Sequence, residues 1–171
     1  MTQFTHDTAP TQYAEGGGTR FAYRRFGTPG RPPLVFFQHF MSTLDDHDPA
    51  LIDAFAGDRE VILFNNTGVA SSSGTVPDAI EAMARDAITF TGALALNTVD
   101  LVGHSMGGLV AQEVALAGPD LVRRLVLVGT GPRGEGMPVS DQSIAAQEAA
   151  LAAYGAAKDP SYAHLKVLTL P

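Results

Sequence analysis

The sequence predicts an α/β protein of three layers, with helices covering both faces of a mainly parallel sheet. Three observations predict it. Leu34-Val35-Phe36-Phe37, Val61-Ile62-Leu63-Phe64, Val99-Asp100-Leu101-Val102 and Leu125-Val126-Leu127-Val128 are short, mostly apolar runs, as in strands covered on both faces. Segments with helical spacing of apolar residues alternate with these runs, the pattern of right-handed βαβ units. Each run ends in a polar or glycine-bearing loop. Residues 38–41, 65–68, 103–107 and 129–131 therefore converge on the carboxyl edge of the sheet, where sites form in such folds.

Composition bounds the answer. The chain has 171 residues, 45% hydrophobic and 17% charged, which suits one globular domain. A formal net charge of -7, with no basic cluster beyond Arg24-Arg25 and Arg123-Arg124, argues against a nucleic-acid partner. No cysteine is present, which excludes disulfides, thiolate metal sites and a cysteine nucleophile. Residues 1–10 are polar, unlike a signal peptide, and no apolar run approaches the roughly 20 residues that span a bilayer. A cytoplasmic protein with no membrane partner is expected.

In order along the chain, residues 11–14 and 19–26 read as two strands about a glycine turn. In the second, Phe21, Tyr23 and Arg25 alternate with Arg20, Ala22 and Arg24, the period of a half-exposed strand. Residues 27–33 are loop by their Gly and Pro content. After the run at 34–37, a helix is expected over 49–56. The strand at 61–64 leads into loops at 65–68 and 71–74. Asp78 then reads as an N-cap with Glu81 as its capping-box partner, before a helix with Ile80, Met83, Ala84, Ala87, Ile88 and Thr91 on one face. A further helical pattern, from Gly108 through Leu109, Val110, Val114 and Leu116, stops near Gly118-Pro119. Residues 129–138 read as a linker. Ser140 or Asp141 is placed to cap a helix through Ala153, and residues 165–170 form a last apolar run.

Chemistry concentrates at Gly103-His104-Ser105-Met106-Gly107. This is G-x-S-x-G between a strand and a helix, the context of a nucleophile elbow, with glycines where side chains would clash in a strained turn. Ser105 is the candidate nucleophile. A serine hydroxyl needs a base, an orienting acid and an oxyanion hole. The Met106 N–H, at the start of a helix, is one oxyanion donor. The Phe40 N–H, on the loop after the first buried strand, is the other.

Phe37-Gln38-His39-Phe40, Phe64-Asn65-Asn66-Thr67-Gly68-Val69 and Val102-Gly103-His104-Ser105-Met106-Gly107-Gly108 together resemble the α/β-hydrolase superfamily, nearest its esterase and cofactor-free haloperoxidase-like members. The likeness covers about residues 11–131. It implies a truncated α/β-hydrolase fold, ester hydrolysis through an acyl-enzyme, and no cofactor. Residues 1–135 would be the core with strands one to six, and residues 136–171 a shortened cap remnant with a C-terminal helical segment. Relatives usually carry Asp at Asn65 and Gly at Ala70. Asn65 is read as an Asx-turn residue. The acid and histidine of the family follow later strands than this chain contains.

Among the histidines, His39 on the oxyanion loop is the possible unconventional base. The resemblance packs His104 behind the elbow, while His47 is read as exposed and His6 and His164 are unplaced. Asp45, Asp46, Asp48, Glu135 and Asp141 have no spacing that singles out an acid, and His47 with Asp45 and Asp48 reads as a solvated turn rather than a metal site. The expected function is a serine esterase of reduced activity on small-molecule esters. The competing reading is a non-catalytic folding or assembly module. It would form a homo-oligomer through the exposed edge strand at 125–128 or by exchanging residues 140–171. A dinucleotide site is not supported, because Gly103 to Gly108 lacks the required G-x-G-x-x-G.

Overall fold

The computed structural model describes residues 4–131 and 167–170. Its seven-stranded sheet has the order β1-β2-β4-β3-β5-β6-β7. β1 (Gln12–Gly16) and β2 (Thr19–Gly27) form a hairpin, and β2 runs antiparallel to β4 (Glu60–Phe64). Every other pairing is parallel, bringing in β3 (Leu34–Phe37), β5 (Val99–His104), β6 (Val122–Val128) and β7 (Val167–Leu170).

Successive side chains of a strand point to opposite faces, so each central strand feeds two cores. On one face Val35, Phe37, Ile62, Phe64, Leu101 and Leu125 join the buried sides of α2 (Ile80–Ala93) and α3 (Met106–Ala117). On the other, Leu34, Phe36, Val61 and Leu63 join Ile52 and Ala56 of α1 (Pro49–Ala56), together with Ala9. The first core is centred on Phe90, which stacks on Phe64 with centroids 4.6 Å apart and meets Phe21 and Tyr23 edge-on or tilted. Phe90 lies outside the face expected for its helix, whereas Ile88 is only partly buried.

The structure corrects three further expectations. Asp78 does not cap α2. The helix begins at Ile80, with Ala79 at the cap position and no side-chain cap bond, so Asp78 stands one residue too early to reach the free amides. β2 is covered on both faces, because Ala22 and Phe26 join the second core with Ala9 and Ala56. Residues 125–128 are not a free edge, since β7 pairs with them from Leu125↔Val167 to Val128↔Leu170. An apolar strand presents a row of backbone donors and acceptors, and a second strand satisfies them. Among the described strands the outermost place therefore passes to β7. The helix expected over 140–153 lies outside the described residues.

Away from the carboxyl edge, Asp100 near the start of β5 accepts hydrogen bonds from Arg123 Nε and Nη2 at 2.9 and 2.6 Å and from Arg59 Nη1 at 2.8 Å. Burial pushes this carboxyl up, but the hydrogen bonds from Arg123 and Arg59 outweigh it and hold the group below the usual carboxylate range.

Candidate active site

β5 and α3 meet with one residue between them, Ser105. Its φ is 52° and its ψ is −121°. Such a backbone costs a residue with a Cβ about 1–3 kcal/mol and persists only where the surroundings over-determine it. Here they do. The Ser105 N–H donates to Val128 O at 3.0 Å, and Ser105 O accepts from the Gly108 N–H at 2.9 Å. A Cβ on Gly107 would lie 2.5 Å from Gln38 O and press on the Phe37 carbonyl, so this bare Cα lets the loop after β3 sit directly on the first turn of α3. Thr130, in the loop after β6, closes on Gly108 in the same way.

The fold thus brings the nucleophile candidate and the loop carrying both Phe40 and His39 to one edge. Met106 is the first residue of α3 and is buried, with its N–H at the positive end of the helix. Phe40 packs its ring against the core shared with α2 and α3. His39 Nδ1 lies 2.8 Å from Phe40 O. A carbonyl only accepts, so in the neutral ring Nδ1 carries the proton and Nε2 keeps its lone pair.

Histidine placement is where the structure departs most from expectation. His104 is not packed behind the elbow. It is exposed on the face of α1, its ring edge-to-face with His39 at 5.3 Å and resting over Gly129. The desolvation of its partly covered ring, followed by the neighbouring His39, lowers its pKa. His47 is not exposed. It leans edge-on against Phe36 with Nε2 sealed from solvent, and burial, followed by the charges of His6, His39 and His104, lowers its pKa to about 4. His6, unplaced from sequence, is buried beside α1, its N–H donating to Asp53 Oδ1 at 2.7 Å.

The carboxylates near His47 are each engaged locally. Asp45 pairs with Arg24, and Asp48 caps α1 through the Leu51 N–H. Asp46 accepts from Thr43 N and Oγ1, bonds that lower its pKa. Glu135, Asp141 and His164 lie outside the described residues. Among the described residues no group of His, Asp and Glu is disposed to hold a metal ion, and no helix is long and apolar enough to cross a membrane.

Asn65 makes no local Asx turn. Its Oδ1 accepts from the Leu44 N–H at 2.8 Å and its Nδ2 reaches Ser71 Oγ at 3.4 Å, so it ties the loop after β3 to the loop after β4. Sequence reasoning also missed Gln112. Buried in α3, it donates from Nε2 to Gly108 O and to Gly131 O, both at 3.0 Å. The available signal was an amide one helical turn after Gly108, on a helix otherwise apolar at that face.

Comparison with known proteins agrees with this fold. The family model described as alpha/beta hydrolase fold matches residues 32–162. An alpha/beta hydrolase fold protein from Chitinophaga pinensis superposes with a TM-score of 0.75 and 46% identity, covering 77% of this chain and 48% of that one. A protein of Rhizobium rhizogenes, provisionally named carbamate hydrolase RutD, is 33% identical over 86 residues, covering 49% of this chain and 33% of its own. The sn-1-specific diacylglycerol lipase ABHD11 of Mus musculus is 49% identical over 59 residues, covering 34% of this chain and 19% of its own. The matched part spans less than half the length of each of these relatives.

Proposed function

The chain belongs to the α/β-hydrolase fold family, and from that premise we propose that it is a serine hydrolase of small carboxylic esters, acting through an acyl-enzyme at Ser105. The observation that carries this reading is the Ser105 backbone, strained at the joint of β5 and α3 with φ 52°. Nothing in packing alone calls for a hydroxyl there, whereas an attacking oxygen needs that projection. In the reaction, Ser105 Oγ attacks the ester carbonyl carbon and the carbonyl electron pair moves onto oxygen. The Phe40 and Met106 N–H groups receive that oxyanion. Collapse of the adduct expels the alkoxide, which leaves as the alcohol with the proton that Ser105 gave up to the base. The acyl group stays on Ser105 until water, deprotonated by the same base, releases the acid and restores the serine hydroxyl.

His39 serves as base through Nε2, oriented by its Nδ1–H bond to Phe40 O. A carbonyl fixes the ring but does not stabilise its cation as a carboxylate would. Turnover therefore lies below that of a complete triad. In serine proteases stripped of triad members, binding and the oxyanion hole alone retain on the order of 10³–10⁴ over water. The carbamate hydrolase and lipase names among the relatives support chemistry at an acyl carbon.

The test is covalent labelling by a fluorophosphonate probe, with hydrolysis of a short-chain nitrophenyl ester measured in parallel. Ser105→Ala is expected to abolish labelling and to reduce hydrolysis to background. Labelling that survives this substitution removes Ser105 as nucleophile. The other reading, an assembly module, is favoured by one observation, that β7 ends the sheet with one side unpaired among the described strands.

A further inference from the structure

The geometry points to Gln112 as the positioning residue that holds Ser105 in its strained conformation, an inference that rests on the acyl-enzyme reading for its kinetic consequences. Gln112 does not reach a substrate. It acts through the backbone around the nucleophile.

Its amide nitrogen has two hydrogens, and both are engaged by carbonyls. One goes back a turn along α3 to Gly108 O, the residue whose own N–H closes on Ser105 O. The other leaves the helix for Gly131 O, in the loop after β6. That loop follows directly from Val128, whose carbonyl takes the Ser105 N–H. The contacts close on themselves: Ser105 to Val128, along the chain to Gly131, across to Gln112, down to Gly108 and back to Ser105. Thr130 packs against Gly108 inside this ring.

The ring matters because a strained residue relaxes unless its neighbours forbid it. Two loops bear on the joint. The loop after β3 presses on it sterically, its carbonyls lying against Gly107. The loop after β6 is held to α3 by a side-chain hydrogen bond, and Gln112 is its donor. The loop begins at Gly129, whose φ of 57° suits a glycine free to adopt other conformations. With the amide removed, residues 129–131 lift from α3, Thr130 no longer presses on Gly108, whose N–H closes on Ser105 O, and Ser105 gains a route to negative φ. The hydroxyl then turns from its line of attack and the Met106 N–H turns with it. Displacements near 1 Å at a reacting group can cost about 10²-fold in rate.

The experiment uses Gln112→Met, which keeps the volume without a donor, and Gln112→Leu as a second apolar variant in case the first fails to fold. Four readouts are taken on the full chain: kcat and KM on a nitrophenyl ester, the fluorophosphonate labelling rate, the melting temperature, and the crystal structure. The expected result is kcat and labelling reduced about 10- to 100-fold with KM unchanged, and Ser105 moved to negative φ in the crystal. Ser105 retaining φ near 52° in a folded variant, or kcat within twofold of the parent, overturns the proposal. So does a loss confined to melting temperature. If neither variant folds, Gln112 is a folding residue and the proposal also fails. Because the Ser105 backbone angle is read without any turnover, it separates this inference from failure of the nucleophile reading, which Ser105→Ala tests alone.

Discussion

Ala70 and Ser105 both have positive φ, 47° and 52°, but only Ser105 stands at the joint of β5 and α3 for which the nucleophile role is proposed. Ala70 lies in the loop after β4, at a position where glycine was expected from the family resemblance. A left-handed residue with a Cβ costs about 1–2 kcal/mol, and glycine removes that cost while adding freedom to the unfolded chain. Ala70→Gly is therefore expected to stabilise the fold by about 0.5–1 kcal/mol, read as a higher urea midpoint at unchanged slope. A lower midpoint contradicts the assignment of strain. The sequence shows the anomaly at Ala70 plainly, since glycine there is a matter of local backbone geometry. It does not show the role of Asn65, because the groups it bonds, Leu44 and Ser71, are brought to it only by the fold.

The loop from β3 to α1 carries Phe40, His39 and His47, and it is the element in which folding and pH are most closely linked. His47 titrates near 6.5 when unfolded and near 4 in place. Between those values the unfolded chain binds more protons, so stability is full above about pH 6.5 and falls as pH drops toward 4. At about 1.4 kcal/mol per pKa unit the ceiling is about 3 kcal/mol, reduced by the partial exposure of the residue. His47→Phe keeps an aromatic ring against Phe36 and removes the titration. Urea unfolding at pH 7 and pH 4.5 is expected to show a smaller loss for this variant by about 1–2 kcal/mol. Equal losses in variant and parent rule out His47 as the source. The order of the elements was legible, because buried runs of four apolar residues and loops rich in Gly and Pro are local signals. The clustering of four of the five histidines was not. His39 and His47 share the loop after β3, but His6 and His104 lie far from it in sequence, and the pairing of β3 with β5 and the bond of the His6 N–H to Asp53 of α1 bring them close.

At the scale of the molecule, the sheet grows outward from β3, with a hairpin at one end and β7 at the other. Among the described strands the outer side of β7, a short run of Val, Leu, Thr and Leu, has no partner and invites a second copy, and a twofold axis would pair the two β7 strands antiparallel. The assembly reading thus predicts a dimer by light scattering at micromolar concentration. A monomer under those conditions removes this edge as an interface. The strand order has one more consequence, for synthesis. β3 is made before both strands that flank it, β4 and β5. While ribosomes extend the chain, Leu34 and Phe36 gain α1 early, but Val35 and Phe37 stay unroofed until α2, β5 and α3 emerge, and this is the kind of exposed apolar face that chaperones bind. The loop after β3 therefore gains its seat on Gly107 only once α3 has been made, so in a nascent chain stalled before Gly107 the proposed site is not yet assembled.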